Sequence, residues 1–313
     1  MITVSAPGKI HLMGEHAVVY GKPALLAAVN LRLSVSLQAG EKGLTIVAPE
    51  GQSYIRHAIE TTAKALNIKT IPPLTLTLES QIPIGYHLGS SAATAVATVG
   101  AMMYFTKNLW NPEKINQIAY EVEKKQHGNP SGGDNTTVTF GGFIWFRKEL
   151  EFLKSIWRFP FSFSKTLHHF FLINTGRPKE TTGEMVEWVR KQEKEEKKKF
   201  QELFVENENQ TKRLAKAIKE GDEEELMDAI RKGEKTLEEM GVVSSVAASF
   251  LRKIEDSGGA GKILGGGGKV GPVGCLLCYH HAPDKIEALC KPYGYSIQHI
   301  ALGEEGVRLE RTH

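Results

Sequence analysis

The chain has 313 residues, 41% of them hydrophobic and 24% charged, which excludes a disordered chain, a collagen or a coiled coil as a whole-chain reading. At roughly 100–200 residues per domain, that length suggests two domains or one large one. The 39 basic and 36 acidic residues leave a net charge of +3, too balanced for a surface built to hold nucleic acid. Three cysteines are too few for a disulfide framework and fit a reducing compartment.

The first residues, Met1-Ile2-Thr3-Val4, carry no basic segment leading into an apolar run, so a cytoplasmic setting is expected. Residues 1–40 alternate short β-like runs with glycine turns, and Val29 to Leu37 alternates apolar with polar residues, the pattern of a half-buried strand. Leu44 to Val47 and Leu74 to Leu78 repeat that pattern, with a helix expected between them over Tyr54 to Leu66. From Ser80 to Thr106 there is no Asp, Glu, Lys or Arg. A membrane helix needs about 20 predominantly apolar residues. Here Pro83, Gly85, Gly89 and Gly100 interrupt the run and Ser, Thr and Ala dilute it, so a loop feeding a buried helix from about Ser91 to Phe105 is expected. Pro112 to Lys125 reads as a further helix, with Ile115, Ile118, Ala119 and Val122 on one face. Phe140 to Phe146 and Phe170 to Asn174 read as strands.

Composition changes after a seam near 160–180. Glu184 to Met240 is rich in Lys and Glu and reads as two or three exposed helices, with a break at Gly221 and Asp222 as a cap. Val246 to Ile254 is a further helix, Gly258 to Gly274 a glycine-rich loop, Cys275 to Tyr279 a strand, and Ile297 to Leu309 a hairpin around Gly303 to Gly306. No internal repeat is visible.

Four segments have the composition of reactive sites. In Ile82 to Ala93, strand-like residues run through glycines and paired serines into a helix. Unpaired N–H groups and the dipole at such a helix start hold phosphate, and a serine hydroxyl there can ligate Mg²⁺. A simple N-capped helix explains the same segment equally well. In Ala6 to Gly21, Lys9, Glu15 and His16 lie among glycines. Lys9 could clamp phosphate or lower a hydroxyl pKa. In Glu123 to Gly142 a helix ends and a polar loop presents Asp134 before a strand. Asp134 there is a catalytic base, a metal ligand or a turn residue. Gly266, Gly268 and Gly271 spell a G-x-G-x-x-G run, but the order helix, glycine loop, strand does not suit a dinucleotide fold. Cys275 and Cys278 lie near His280 and His281, yet positions i and i+3 of a strand face opposite ways, so buried thiols are expected there rather than zinc ligands.

Taken together, Pro7-Gly8-Lys9, then Leu88-Gly89-Ser90-Ser91-Ala92, then Gly265 to Gly268 resemble the three signatures of the galactose, homoserine, mevalonate and phosphomevalonate (GHMP) kinases. Within that superfamily, Gly14 to Gly21 and His127 to Asn135 are similar to the mevalonate kinases. The resemblance implies an α+β GHMP-kinase fold. A mixed α/β N-terminal domain would cover 1–170 and a ferredoxin-like α+β domain 171–313, with the active site in a cleft between them. It implies transfer of the γ-phosphoryl group of ATP to the 5-hydroxyl of mevalonate, with Mg²⁺ as cofactor and no nucleic-acid or membrane partner. A homodimer follows from the same resemblance. On it Asp134 and Lys9 are catalytic. Gly85, Leu88, Gly89, Ser90, Ser91 and Ala92 hold phosphate, and Ser91 and Glu123 ligate Mg²⁺. Glu15, His16, His127 and Thr181 line the substrate pocket.

Two departures stand out. Tyr86 and His87 replace small residues of the phosphate loop, and Leu264 replaces the usual threonine of a C-terminal loop enlarged by Lys269 to Val273. That enlarged loop, Gly265 to Gly274, is expected to be a mobile flap over the site with Lys269 reaching phosphate, against the alternative of a surface insertion. A related kinase for phosphomevalonate or a sugar-like alcohol, and a degenerate nucleotide- or isoprenoid-binding regulator, are the competing readings. His16 with Asn129 to Asn135 argues against the first, and the retained Lys9, Glu123 and Asp134 against the second.

Overall fold

In a computed structural model, which describes residues 1–83, 85–127, 130–150, 152–160 and 167–310, the alternation near the N-terminus becomes two long antiparallel strands, β1 (Ile2–Met13) and β2 (Pro23–Ala39). A bulge between Pro7 and Gly8 shifts their register. A proline cannot donate to a ladder, and Pro7 lies past Ser5, the last β1 residue paired with the neighbouring C-terminal strand. The first half continues with β3 (Leu44–Val47), α1 (Gln52–Ala65), β4 (Leu74–Ser80), α2 (Ser90–Lys107), α3 (Pro112–His127), α4 (Gly133–Phe140), β5 (Phe143–Lys148) and β6 (Lys154–Arg158). The second half contains β7 (Phe170–Asn174), α5 (Thr182–Glu195), α6 (Lys197–Glu220), α7 (Glu223–Glu239), α8 (Ser245–Asp256), β8 (Ala260–Ile263), β9 (Cys275–Tyr279), α9 (Pro283–Cys290), β10 (Ser296–Ile300) and β11 (Arg308–Glu310).

Among the described residues the strands form a seven-stranded sheet, with β11-β1-β2-β4-β3 as its path and β5 and β6 branching from β2, and a four-stranded sheet β10-β7-β9-β8. Helix α2, uncharged until Lys107 at its end, buries Ala92, Ala93 and everything from Ala95 to Met103 and packs on β1 and β2. Small side chains allow that close approach. No helix among the described residues is long and apolar enough to cross a membrane.

Strands β7 and β9 at the centre of the second sheet are buried on both faces, while the edge strand β10 is largely exposed. Phe170 and Leu172 of β7 and Cys275, Leu277 and Tyr279 of β9 join the core under the first sheet. Their neighbours Phe171, Ile173, Leu276 and Cys278 join a second core with α5, α6 and α8. Successive strand residues point to opposite faces, so a continuous apolar run is what a doubly covered strand requires. Cys275 and Cys278 therefore sit in different cores, both thiols are free, and burial raises both, Cys275 to about 12. Helix α6 spans the two cores, with Phe200, Leu203 and Phe204 in one and Leu214, Ala217 and Ile218 in the other.

Several expectations are corrected. The start of the run read as a strand over Phe140 to Phe146 closes helix α4, and the strand begins at Phe143. The β-branched Thr136 to Thr139 favour a strand locally, but they are buried in α4 against α2 and α3, and packing overrides propensity. The tail is not a hairpin: β10 pairs with β7, whereas β11 crosses back to β1 in the first sheet. The glycine-rich stretch contains strand β8. Strand β6, helix α9 and a short 3₁₀ turn over Ala17–Tyr20 are additional to the elements expected from the sequence.

Candidate active site

The P-G-K segment lies inside β1, and the loop before α2 folds back on it, with the Lys9 amide donating to the Leu88 carbonyl at 2.9 Å. Gly89, the N-cap of α2, has φ 80°, and a Cβ there would come within 2.6 Å of the Lys9 side chain. Only glycine lets the buried lysine pass over the loop. The first turn of α2 carries no acidic residue, so its free N–H groups keep their attraction for an anion.

Lys9 Nζ reaches Asp134 Oδ2 at 2.9 Å, and His11 Nε2 lies 3.7 Å from the other carboxylate oxygen. Asp134 is not in a loop before a strand. It occupies the first turn of α4, which starts after Gly132 turns the chain at φ 82°. Burial pushes the Asp134 pKa up, but the charge of Lys9 and the hydrogen bond and charge from His11 outweigh it, and the carboxyl is held well below the usual range. His11 was not singled out in the sequence, although its place two residues after Lys9 puts both on one strand face.

Behind the phosphate loop, Ser91 Oγ donates to Glu123 Oε1 at 2.9 Å, and the Tyr54 hydroxyl donates to the same oxygen at 2.6 Å. Glu123 is 3% exposed. Burial and Glu123 both raise the Tyr54 pKa, keeping the phenol a donor. A cavity of about 470 Å³ opens beside Tyr54 and Ser91, and Glu123 lines a separate pocket that shares Asp134 with it. Lys9, Gly85, Leu88, Gly89, Ser90, Ser91 and Asp134 line the cavity, together with an apolar wall that includes Leu33, Pro49, Ile55 and Leu78. Ala92 is buried just behind, in the first turn of α2.

Glu15 and His16 do not line that cavity. Both are buried, Glu15 against strand β8 and His16 against the C-terminal glycine loop. Glu15 pairs with the fully buried Lys262 at 2.5 Å, and His16 Nε2 lies 3.0 Å from the Gly266 carbonyl. Burial lowers the His16 pKa more than Gly266 and Glu15 raise it, which keeps the ring neutral. Glu234, also fully buried, accepts from the Ile263 amide at 2.9 Å, and its pKa is raised well above normal, by burial first. Neither Lys262 nor Glu234 was picked out as a site residue. Glu234 lies in the Lys- and Glu-rich stretch where charge reads as solvated surface, and Lys262 in the glycine-rich stretch.

Thr181 is exposed and caps α5, its side chain accepting from the Glu184 amide and Glu184 reaching back in a capping box. The His127 side chain and residues 128 and 129 lie outside the described residues. His87, where the resembled loop has glycine, carries φ 61°. Its ring packs where a Cβ on Gly265 would clash and lies 3.3 Å from the Thr182 hydroxyl. Burial lowers its pKa, and Lys9 and His11 add to the effect.

The enlarged glycine loop is anchored. The Gly268 amide donates to the Val242 carbonyl at 2.9 Å, Ser244 Oγ donates to the Gly271 carbonyl at 2.6 Å, and Thr175 Oγ1 donates to the Gly274 carbonyl at 2.8 Å. Gly266 to Gly268 are buried. Lys269 Nζ lies 4.2 Å from the centre of the Trp188 ring, a cation–π contact rather than a reach toward phosphate.

Residues 53–142 match the family model for the GHMP kinase N-terminal domain. Mevalonate kinase of Archaeoglobus fulgidus is 32% identical over 98% of this chain and 99% of that one. Mevalonate kinase of Thermococcus gammatolerans is 31% identical over 99% of each. The crystal structure of L. major mevalonate kinase in complex with R-mevalonate superposes with a TM-score of 0.81 at 20% identity, over 96% of this chain and 95% of that one, a likeness of fold.

Proposed function

The chain belongs to the mevalonate kinase family of the GHMP kinases, and from that premise we propose that it transfers the γ-phosphoryl group of ATP to the 5-hydroxyl of mevalonate. The observation that carries the proposal is the Lys9–Asp134 pair at 2.9 Å beside the start of α2. It sets a cation and a carboxylate against a ready-made phosphate site. Phosphoryl transfer is mostly positioning and charge neutralisation, and these are the groups it needs.

The loop Gly85 to Ala92 and the α2 N-terminus hold the polyphosphate through backbone N–H groups, and the apolar wall of the cavity takes the nucleotide base. Ser91 and Glu123 are two hard oxygen donors 2.9 Å apart, which fits Mg²⁺, an ion usually bound by one or two protein oxygens plus phosphates. When bound, Mg²⁺ neutralises phosphate charge. Asp134, kept ionised by Lys9, orients the substrate hydroxyl. Its lowered pKa makes it a weak base, so it accepts the proton late, as the new P–O bond forms. Lys9 stabilises the charge on the transferred group. Glu15 and His16, fixed by Lys262 and Gly266, form the far wall toward mevalonate, and His127 and Thr181 are assigned to the substrate pocket by the family resemblance alone. Residues 1–170 and 171–313 act as the two halves around the site, in a cytoplasmic homodimer.

The test is the product. Mg-ATP, mevalonate and enzyme, followed by phosphorus NMR, should yield one phosphate ester at the 5-oxygen for each ADP formed. ATP hydrolysis without that ester would overturn the proposal.

A further inference from the structure

A cluster of imidazoles lies at the end of the second sheet remote from the glycine loop. His169 immediately precedes β7, His281 follows β9 by two residues, and Glu223 opens α7. The other ends of these strands, Asn174 and Cys275, adjoin the glycine loop. Five strand residues at about 3.4 Å each put the two ends roughly 17 Å apart, so the cluster is separate from the phosphate site.

We propose that His169, Glu223 and His281 form a binding site for a divalent transition-metal ion of the zinc class. One ligand atom from each lies within 4.8 Å of those of the other two. His281 Nε2 stands 3.4 Å from Glu223 Oε2. Ligand atoms around a tetrahedral zinc at about 2.0–2.1 Å are themselves roughly 3.3 Å apart, so this pair already has the separation an ion requires. The His169 and His281 ring centres are 4.7 Å apart, and small ring rotations bring the third donor in.

The surroundings orient the donors. The Tyr279 hydroxyl donates to Glu223 Oε1, which leaves Oε2 turned toward His281. Such a partner is what a ligating carboxylate needs. Tyr279 is itself fully buried, and the His280 amide donates to the His169 carbonyl at 3.0 Å, locking the two strand ends together. Two imidazoles and a carboxylate suit zinc, and disfavour Mg²⁺ or Ca²⁺, which prefer all-oxygen sites. His281 is half exposed, so an ion has a path in and open positions for water. The three donors come from two strand ends and a helix start, so a bound ion ties α7 to the sheet. The site would serve stability or regulation rather than phosphoryl transfer.

The test uses tag-free enzyme stripped with a chelator and titrated with Zn²⁺ alone by calorimetry, with bound metal counted by mass spectrometry. One equivalent should bind and raise Tm. His281→Ala and the His169→Ala/His281→Ala pair should each weaken binding by at least about tenfold. Tyr279→Phe, which keeps the packing, should weaken it by about 10–100-fold. Co²⁺ in place of Zn²⁺ should give visible absorption that the histidine variants lose. Zn²⁺ bound equally by wild type and the double variant overturns the site. So does Zn²⁺ lost in Glu123→Ala but kept in His281→Ala. No Zn²⁺ binding to folded wild type leaves an ordinary histidine–glutamate ion pair and also overturns it.

Discussion

At the scale of single residues, the account rests on Lys9 and Asp134. Asp134→Asn should keep the fold and nucleotide binding yet lose about 10²–10⁴ in kcat, the usual worth of a positioned acid–base group. Steady-state turnover beside nucleotide titration checks this, and near-normal turnover would make Asp134 structural. The folded pKa of Asp134 is lowered by Lys9 and His11, so its contribution to stability is present above the unfolded value of about 3.9 and is lost as pH falls through the folded one. The stability difference between wild type and Asp134→Asn should therefore be flat above about pH 5 and shrink in acid. Glu234 has the opposite sign. Its folded pKa is raised, chiefly by burial and against the pull of Lys262, so folding costs more as pH climbs from the unfolded value of about 4.3. Glu234→Gln can still accept from the Ile263 amide and should gain on wild type from about pH 5 to pH 8, by at most about 1.4 kcal/mol per pH unit. Denaturant unfolding at both pH values decides, and a flat or reversed difference would mean an ionised Glu234. Ser91→Ala and Glu123→Ala should each raise the Mg²⁺ concentration needed for half-maximal rate, and unchanged titrations in both would remove the metal assignment. Lys9, Ser91, Glu123 and Asp134 were legible because each lies in a short motif with its own glycine or helix boundary. Tyr54, His11 and Lys262 were not, because what joins them to the site is contact between distant segments.

Among the elements, the glycine loop departs most from its sequence pattern. Glycines free a chain only where nothing holds it, and here Val242, Ser244 and Thr175 do. Gly267 has φ 73°, and a Cβ on it would lie 2.1 Å from the Val242 carbonyl oxygen. Gly267→Ala should therefore destabilise the fold by roughly 3 kcal/mol or more, from backbone strain and overpacking together. The Gly268 amide should be protected from hydrogen exchange in the empty enzyme, where a flap would exchange freely. Fast exchange at Gly268 without nucleotide would restore the flap. Strands β2, β3 and β4 followed from alternation and helix α3 from its apolar face, while β7 and β9 followed from short apolar runs, α2 from an uncharged small-residue run after a glycine loop, and α1 and α8 as helical segments between turn signals. Helix α4 and the crossing of β11 did not, because buried threonines and a partner strand some 300 positions away leave no local trace.

Across the whole molecule, the doubly covered strands β7 and β9 and the bridging helix α6 hold the two halves as one packed unit. The Glu15–Lys262 and His16–Gly266 contacts fasten the N-terminal half to strand β8 and the glycine loop beside the proposed substrate wall. The family likeness was carried by motifs spread over nearly the full length, which is why fold and chemistry could be read together. Choice of acceptor is the property that depends on all of this at once. The measurement that bears on it most directly is kcat/KM with Mg-ATP for mevalonate, phosphomevalonate, homoserine and galactose, assayed side by side by ADP release. Mevalonate should exceed each of the others by at least about 10²-fold. A higher value for phosphomevalonate, homoserine or galactose would contradict the account.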